Sequence, residues 1–196
     1  SSGYHEPLPI RRDIRFKLPA DRIADWHDRA GPTFTALLNT FSIVLPIGER
    51  FFIDAVRAHR DLVTDPELQK AVTAFIGQEA MHGREHEEYN EALFARSPIA
   101  PKFEALVLSI FGLLKQHLPA YFWLSGTIAL EHFTALLADS VLRTPELFEG
   151  AEEHYANIWR WHAFEETEHK AVAFDVWNTA MGQGLYAYAI RSFGLV

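Results

Sequence analysis

The chain has 196 residues, a formal net charge of −8, 48% hydrophobic residues and no cysteine. This is enough apolar chain for one domain with a sizeable core, and the acidic balance without a basic run argues against nucleic-acid binding. Lack of cysteine excludes disulfides, thiolate metal sites and cysteine nucleophiles, and fits a cytoplasmic setting.

Residues 1–32 read as a polar, proline-containing N-terminal arm, opened by Ser1-Ser2-Gly3, which looks like an expression remnant. Within it "PADRIADWHD" predicts a short helix, and Gly31-Pro32 breaks the chain. From residue 33 to 196 the pattern is helical, without strand alternation. A first long helix is predicted from about Thr33 to Val63, with the apolar stripe Leu38, Phe41, Leu45, Phe52 and Val56 and a kink at Pro46. The second has clear start chemistry, Asp65 as cap and Pro66 in the first turn, and reaches Arg96. A third segment runs from Pro101 to Arg143, divided by Pro119.

The longest apolar region, Ala105 to Leu130, is broken by Lys115, Gln116, His117 and Pro119 into pieces too short to span a bilayer. It reads as one or two buried helices, with a membrane-facing, lipid-binding or dimer surface as the alternative. Thr144-Pro145-Glu146 predicts the capped start of a fourth helix that ends near Met181. "YAYAIRSFGLV" stops in mid-pattern, so the native chain is expected to continue. The fold class that follows is all-α, a four-helix bundle with extra helical segments and a long crossover between the second and third helices.

Extending each apolar stripe shows what interrupts it. On the second helix Leu68, Val72 and Phe75 lead into Glu79, His82, His86 and Tyr89 at steps of three and four. On the fourth, Tyr155 and Ile158 lead into His162, Glu166 and His169. Glu49 follows Leu45 on the first helix, and Glu131 follows Leu124 and Ile128 on the third. Buried ionised carboxylates cost several kcal/mol each unless compensated. Two divalent cations balance the charge of Glu49, Glu79, Glu131 and Glu166, and the histidines add neutral nitrogen donors. A lone Glu-x-x-His is weak; the ordered set Glu, Glu-x-x-His, Glu, Glu-x-x-His, one element per helix, is the signal.

That order resembles the ferritin-like dinuclear carboxylate proteins, over the region Glu49 to His169. The run His162-x-x-x-Glu166-x-x-His169 looks like the helix of diiron arylamine N-oxygenases, a resemblance that implies His162 as an extra ligand. The wording "LPIGERFF", "QEAMHGREH", "ALEHFT" and "HAFEETEHK" resembles a bacterial family of predicted metal-dependent hydrolases.

Each residue also has a bland reading. Glu49 beside Arg50 could be a solvated glutamate, and Glu79 with His82 a surface pair. His86 reads as a group behind the ligands or a satisfied core histidine rather than a ligand. Glu165 competes with Glu166 for the ligand role; Glu166 shares the stripe with both histidines, which leaves Glu165 and Glu168 for the outer flanks, screened by Lys170 and other cations. His132 points away from the stripe. Tyr89, Tyr121 and Tyr155 read as packing residues.

The donor set suits two metal ions per chain, iron first, then manganese or zinc. The leading expectation is a diiron oxidase or oxygenase that activates O2 against a small organic substrate, drawing on an external electron donor. Phe75, Trp123 and Trp159 are the expected substrate-pocket residues. The alternative is a dinuclear hydrolase using a metal-activated water, against which no Arg or Lys obviously faces the site. A non-catalytic metal-binding bundle is the third reading. No transmembrane span is expected; lipid contact and a homo-oligomer stay open.

Overall fold

The computed structural model describes residues 6–169 and 171–193; Ser1–Gly3, Lys170 and Val196 lie outside them. The protein is all-α. Its helices are α1 (Gly31–Ala58), α2 (Pro66–Arg96), α3 (Ala100–His117), α4 (Ala120–Arg143), α5 (Glu153–His169), α6 (Val172–Met181) and α7 (Leu185–Phe193), with 3-10 turns at Ala20–Arg22, Arg60–Leu62 and Pro145–Phe148. Among the described residues the β-type pairing is the isolated bridge between His27 and Ala151.

Local chemistry sets the boundaries. Gly31, with φ of 80°, and Pro32 start α1. Asp65 caps α2, its carboxylate accepting from the N–H groups of Glu67 at 2.8 Å and Leu68 at 3.4 Å. Leu118, held extended before Pro119, separates α3 from α4.

α1 runs through Pro46 as one helix. One expectation about helices fails: the fourth predicted helix is not one helix. Thr144 makes no side-chain cap bond, and only a 3-10 turn follows it. The backbone then turns at Gly150, with φ of 77°, and bonds to the arm instead: Asp28 N–H to the Gly150 carbonyl at 3.0 Å and Glu152 N–H to the Trp26 carbonyl at 2.6 Å. α5 starts only at Glu153 and ends at His169; α6 resumes at Val172.

α1 packs along α2, and α4 along α5, with α1 also against α4. Two apolar clusters form. One gathers Phe52, Val56, Val72, Phe75, Leu124, Val176 and Trp177. The other gathers Trp26, Leu45, Tyr89, Tyr155, Ile158 and Trp161. Burying side chains of this size contributes about 1.5–3 kcal/mol each. On α1, α2 and the α5–α6 pair the residues between the clusters are Glu49, Glu79 with His82, and His162 to His169. The titratable groups thus sit between two apolar plugs.

α3 departs from the expectation of buried helices over Ala105–Leu130. It buries only Ala100 and Val107 and exposes Leu106, Leu108, Ile110 and Leu113. As the connection from α2 to α4 it touches the bundle mainly along α1, so one side of it faces out. By length and composition the stretch Gly31–Leu62 is apolar enough to cross a membrane, but 56% of its most apolar window is buried inside the protein.

Candidate metal centre

Four helices converge their acidic and imidazole groups. α1 carries Glu49, α2 Glu79 and His82, α4 Glu131, and α5 His162, Glu166 and His169; all are buried. They form three overlapping groups whose donor atoms lie within 4.8 Å of one another: Glu49, His82 and His162; Glu79, His82 and His169; Glu131, Glu166 and His169. Glu79 places Oε2 3.9 Å from His82 Nδ1 and Oε1 2.9 Å from His169 Nδ1. Glu166 places Oε1 3.0 Å from His162 Nε2 and Oε2 3.8 Å from His169 Nδ1. Both carboxylates therefore turn one oxygen to each side of the site. Glu49 Oε1 faces only the His82 and His162 side, at 3.8 and 3.6 Å, and Glu131 Oε2 only His169, at 3.6 Å.

The electrostatics are unfavourable without a cation. Burial pushes the Glu49, Glu79 and Glu131 carboxyls well above the usual carboxylate range, and repulsion from Glu166 adds to each. Burial also acts against the Glu166 charge, but the His162 hydrogen bond, His169 and the Thr134 hydroxyl outweigh it and hold that carboxyl low. Burial and the neighbouring imidazoles drive His82 well below its ordinary value, and burial with His162 does the same to His86. Both oxygens of Glu49, Glu79 and Glu131, together with Nδ1 of His82 and of His169, are buried and make no hydrogen bond within the protein. Glu79 Oε1 and His169 Nδ1 are 2.9 Å apart without bonding. Once these carboxyls are ionised, their oxygens and the imidazole lone pairs converge with no cation between them, which a divalent ion satisfies, so these residues fit a metal.

The opposite ring nitrogens show which lone pairs point inward. His82 Nε2 sits 2.9 Å from Glu165 Oε2, a carboxylate whose other oxygen accepts from Arg12. A neutral His82 therefore donates from Nε2 and keeps Nδ1 bare. His169 Nε2 lies 2.6 Å from Gln78 Oε1. The Gln78 amide cannot be turned round, because its Nε2 serves two pure acceptors, the Ile10 carbonyl at 2.7 Å and Glu168 Oε2 at 2.6 Å. His169 thus also donates from Nε2 and bares Nδ1.

His162 is fixed by a longer chain that begins in α1. Pro46 has no N–H, so the carbonyl of Ser42, four residues earlier, lacks its helical partner. Asn90 Nδ2 fills that role at 2.9 Å. The Asn90 Oδ1 is then an acceptor, and the Ser42 hydroxyl donates to it at 2.8 Å. Having spent its proton, Ser42 Oγ accepts from His86 Nδ1 at 2.8 Å. Neutral His86 offers its bare Nε2 to His162 Nδ1–H at 2.9 Å. His162 Nε2, 3.0 Å from Glu166 Oε1 and 3.6 Å from Glu49 Oε1, is then the nitrogen that a cation would take. Anchoring the far nitrogen of each imidazole in this way is the usual support of a metal-binding histidine.

Glu165 is not on an outer flank; it is fully buried behind His82. Its cation, and that of Glu168, is Arg12 of the arm; Lys170 lies outside the described residues. His86 stands behind His162 rather than among the carboxylates. His132 is exposed, away from the site. Phe75 packs edge-on against His169 at 5.1 Å, and Trp159 against His86 at 5.1 Å. Trp123 sits at the corner of α3 and α4, its indole donating to the Leu118 carbonyl, and does not approach the ligands. None of those three lines the cavity that reaches the carboxylates. That cavity, about 230 Å³ between α1 and α2, is walled by Glu49, Glu79, Gly83, Arg50, Arg84 and Glu87. Two arginines thus border the site, contrary to the expectation of none. A Cβ at Gly83 would come within 3.4 Å of Glu49 Oε2, so glycine keeps α2 clear of that carboxylate.

Sequence reasoning missed Arg12, Ser42, Gln78, Asn90 and Thr134. The spacing of Ser42 four before Pro46 was the one visible signal among them.

The model of a protein family described as "Predicted metal-dependent hydrolase" matches residues 10–196. The chain belongs to this family. No match was found among curated proteins, and none among solved structures. Membership overturns the leading expectation of an O2-activating oxidase or oxygenase in favour of the hydrolase alternative: a metal-dependent hydrolase family, on a chain with buried Glu and His groups able to hold metal, is what the findings support. The donor set could not separate the two chemistries, because hard carboxylates and imidazoles serve both. Hydrolysis calls for neither O2 nor an electron donor.

Proposed function

We propose that the chain is a dinuclear metal-dependent hydrolase on a ferritin-like bundle. Glu49, His82 and His162 would hold one cation, Glu131 and His169 the other, and Glu79 and Glu166 would span both. The observation that carries this reading is the division of oxygens: two carboxylates present one oxygen to each side, and two face one side only. The charges close as well, four carboxylates against two divalent ions, and oxygen-rich donors with imidazoles suit iron, manganese or zinc.

When bound, such a pair of ions lowers the pKa of a water and polarises the bond to be cleaved. The chain's own residues do the rest. The apolar clusters on either side exclude bulk water from the carboxylates. The cavity between α1 and α2 admits a small substrate to Glu49 and Glu79. Arg84 at its wall is already engaged by Asp13, Glu85 and the Ile14 carbonyl, whereas exposed Arg50 is held, among the described residues, by Glu87 at 3.2 Å. Arg50 is therefore the cation available to orient an anionic or strongly polar group.

The test is metal analysis followed by hydrolysis of chromogenic carboxylic and phosphoric esters with Mn(II) or Zn(II), in air and under argon. Two ions per chain and equal rates in both atmospheres are expected. One ion per chain, or turnover only in air, would reject the reading.

A further inference from the structure

The arm is more than a lead-in to α1. Residues 9–16 form no helix or strand, yet they cross α2 and α5 over the seam that holds His82 and His169. Arg12 is the centre of the crossing. Its Nη1 donates to Glu165 Oε1 at 2.9 Å and its Nη2 to Glu168 Oε1 at 2.9 Å, with the guanidinium 5.1 Å over the Phe164 ring. Glu165 receives the Nε2 proton of His82, and Glu168 with the Ile10 carbonyl orients Gln78, which receives the Nε2 proton of His169. The Ile10 N–H closes the set on Glu168 Oε2 at 3.0 Å. Flanking contacts seat the arm: Phe16 N–H on Glu85 at 3.1 Å, the Phe16 ring on Trp161 at 5.1 Å, and Arg84 on the Ile14 carbonyl at 2.8 Å.

We infer that Arg12 is a positioning residue for both imidazoles, and that docking of the arm and binding of metal are coupled. A planar fork can serve two carboxylates at once, which an ammonium cannot do with the same geometry. Without it, buried Glu165 and part-buried Glu168 keep no cation among the described residues and are free to turn away from His82 and Gln78. The histidines could then present the protonated nitrogen to the metal side. The coupling is reciprocal: whatever favours metal with the arm docked must favour docking with metal bound. The inference rests on the metal-centre reading above.

Three measurements on the full chain test it. Long-range proton–nitrogen NMR of the metal-free protein reads the imidazole tautomers; wild type should show His82 and His169 as Nε2–H, and Arg12→Gln a mixture at both. Titration with Mn(II) should show Arg12→Gln weakened about 10–100-fold, Arg12→Lys in between, and Arg29→Gln, whose partner is the remote Glu149, unchanged. Trypsin should cut the arm at Arg11, Arg12 and Arg15 more slowly once Mn(II) is present. Circular dichroism and the melting temperature of the metal-free variants identify any that fail to fold, in which case Arg12→Lys carries the test. Unaltered tautomers in Arg12→Gln or Arg12→Lys would overturn the inference. Wild type that binds no Mn(II) while the tautomers still depend on Arg12 would reject the metal reading and keep the positioning role.

Discussion

Pro46 and Asn90 meet at one atom, the backbone carbonyl oxygen of Ser42: the proline frees it and the asparagine amide takes it, at 2.9 Å. From that contact the Ser42 hydroxyl, His86 and finally His162 receive their hydrogen-bond directions in turn. Replacing Asn90 by alanine leaves the buried Ser42 carbonyl without a donor, at a cost of about 1–3 kcal/mol. It also releases the tautomer of His162. The expected outcome is a lower denaturation midpoint together with mixed His162 tautomers by NMR; a destabilised variant with a single tautomer would show that the direction is set elsewhere.

Glu131 and Glu79 should separate stability from metal binding. Each is a buried carboxyl that burial holds well above the usual carboxylate range in the metal-free protein. Glu131→Gln or Glu79→Gln removes a group that resists ionisation there, so the metal-free variants should be as stable as wild type or more so at neutral pH. Their metal stoichiometry should fall. Calorimetric unfolding beside metal analysis checks both halves.

The metal-free protein should lose stability as pH rises above about 6.5. Glu49, Glu79 and Glu131 have folded-state values raised above the unfolded value of about 4.3. The native state then binds more protons than the unfolded chain, and their contribution, complete below about pH 4.3, is lost as pH climbs through the raised values. His82 and His86 act oppositely: lowered in the fold, they favour the native state above about pH 6.5 and lose that contribution as pH falls. Below 6.5 the two sets oppose each other; above it only the carboxyls titrate, at up to about 1.4 kcal/mol per pH unit for each proton. Metal binding displaces those protons, so calorimetry in buffers of different ionisation enthalpy should record proton release at pH 7.

Gly83→Ala should stiffen α2 and crowd Glu49. The helix gains up to about 1 kcal/mol from the substitution, while the new methyl lies 3.4 Å from Glu49 Oε2. A free carboxylate can swing aside; one held by a cation cannot. The variant should melt higher than wild type without metal and show a smaller rise in melting temperature on adding Mn(II).

The positions legible in the sequence were those governed by helical period. Glu79, His82, Glu166 and His169 continue apolar stripes at steps of three and four, and the structure places them together in the core. The Asp65-Pro66 start of α2 was legible because capping is local. Thr144-Pro145 carried the same local signal but gave only a 3-10 turn, because the backbone around Gly150 bonds to the arm. Arg12 could not be found this way. Its partners Glu165 and Glu168 lie 153 and 156 residues away, and only packing brings them within reach. The reaction class was hidden for another reason: ligands of one kind serve oxidation and hydrolysis alike.

The arm's crossing has a practical side. A chain trimmed back to Ala20, on the view that its first stretch is a dispensable leader, would keep Ile23 and Trp26 in the core, retain every acidic side chain of the centre and still give a helical spectrum. It would part with the one guanidinium that steadies two of its imidazoles. Such a preparation would look sound on a gel and load poorly with manganese, a failure easily blamed on the buffer.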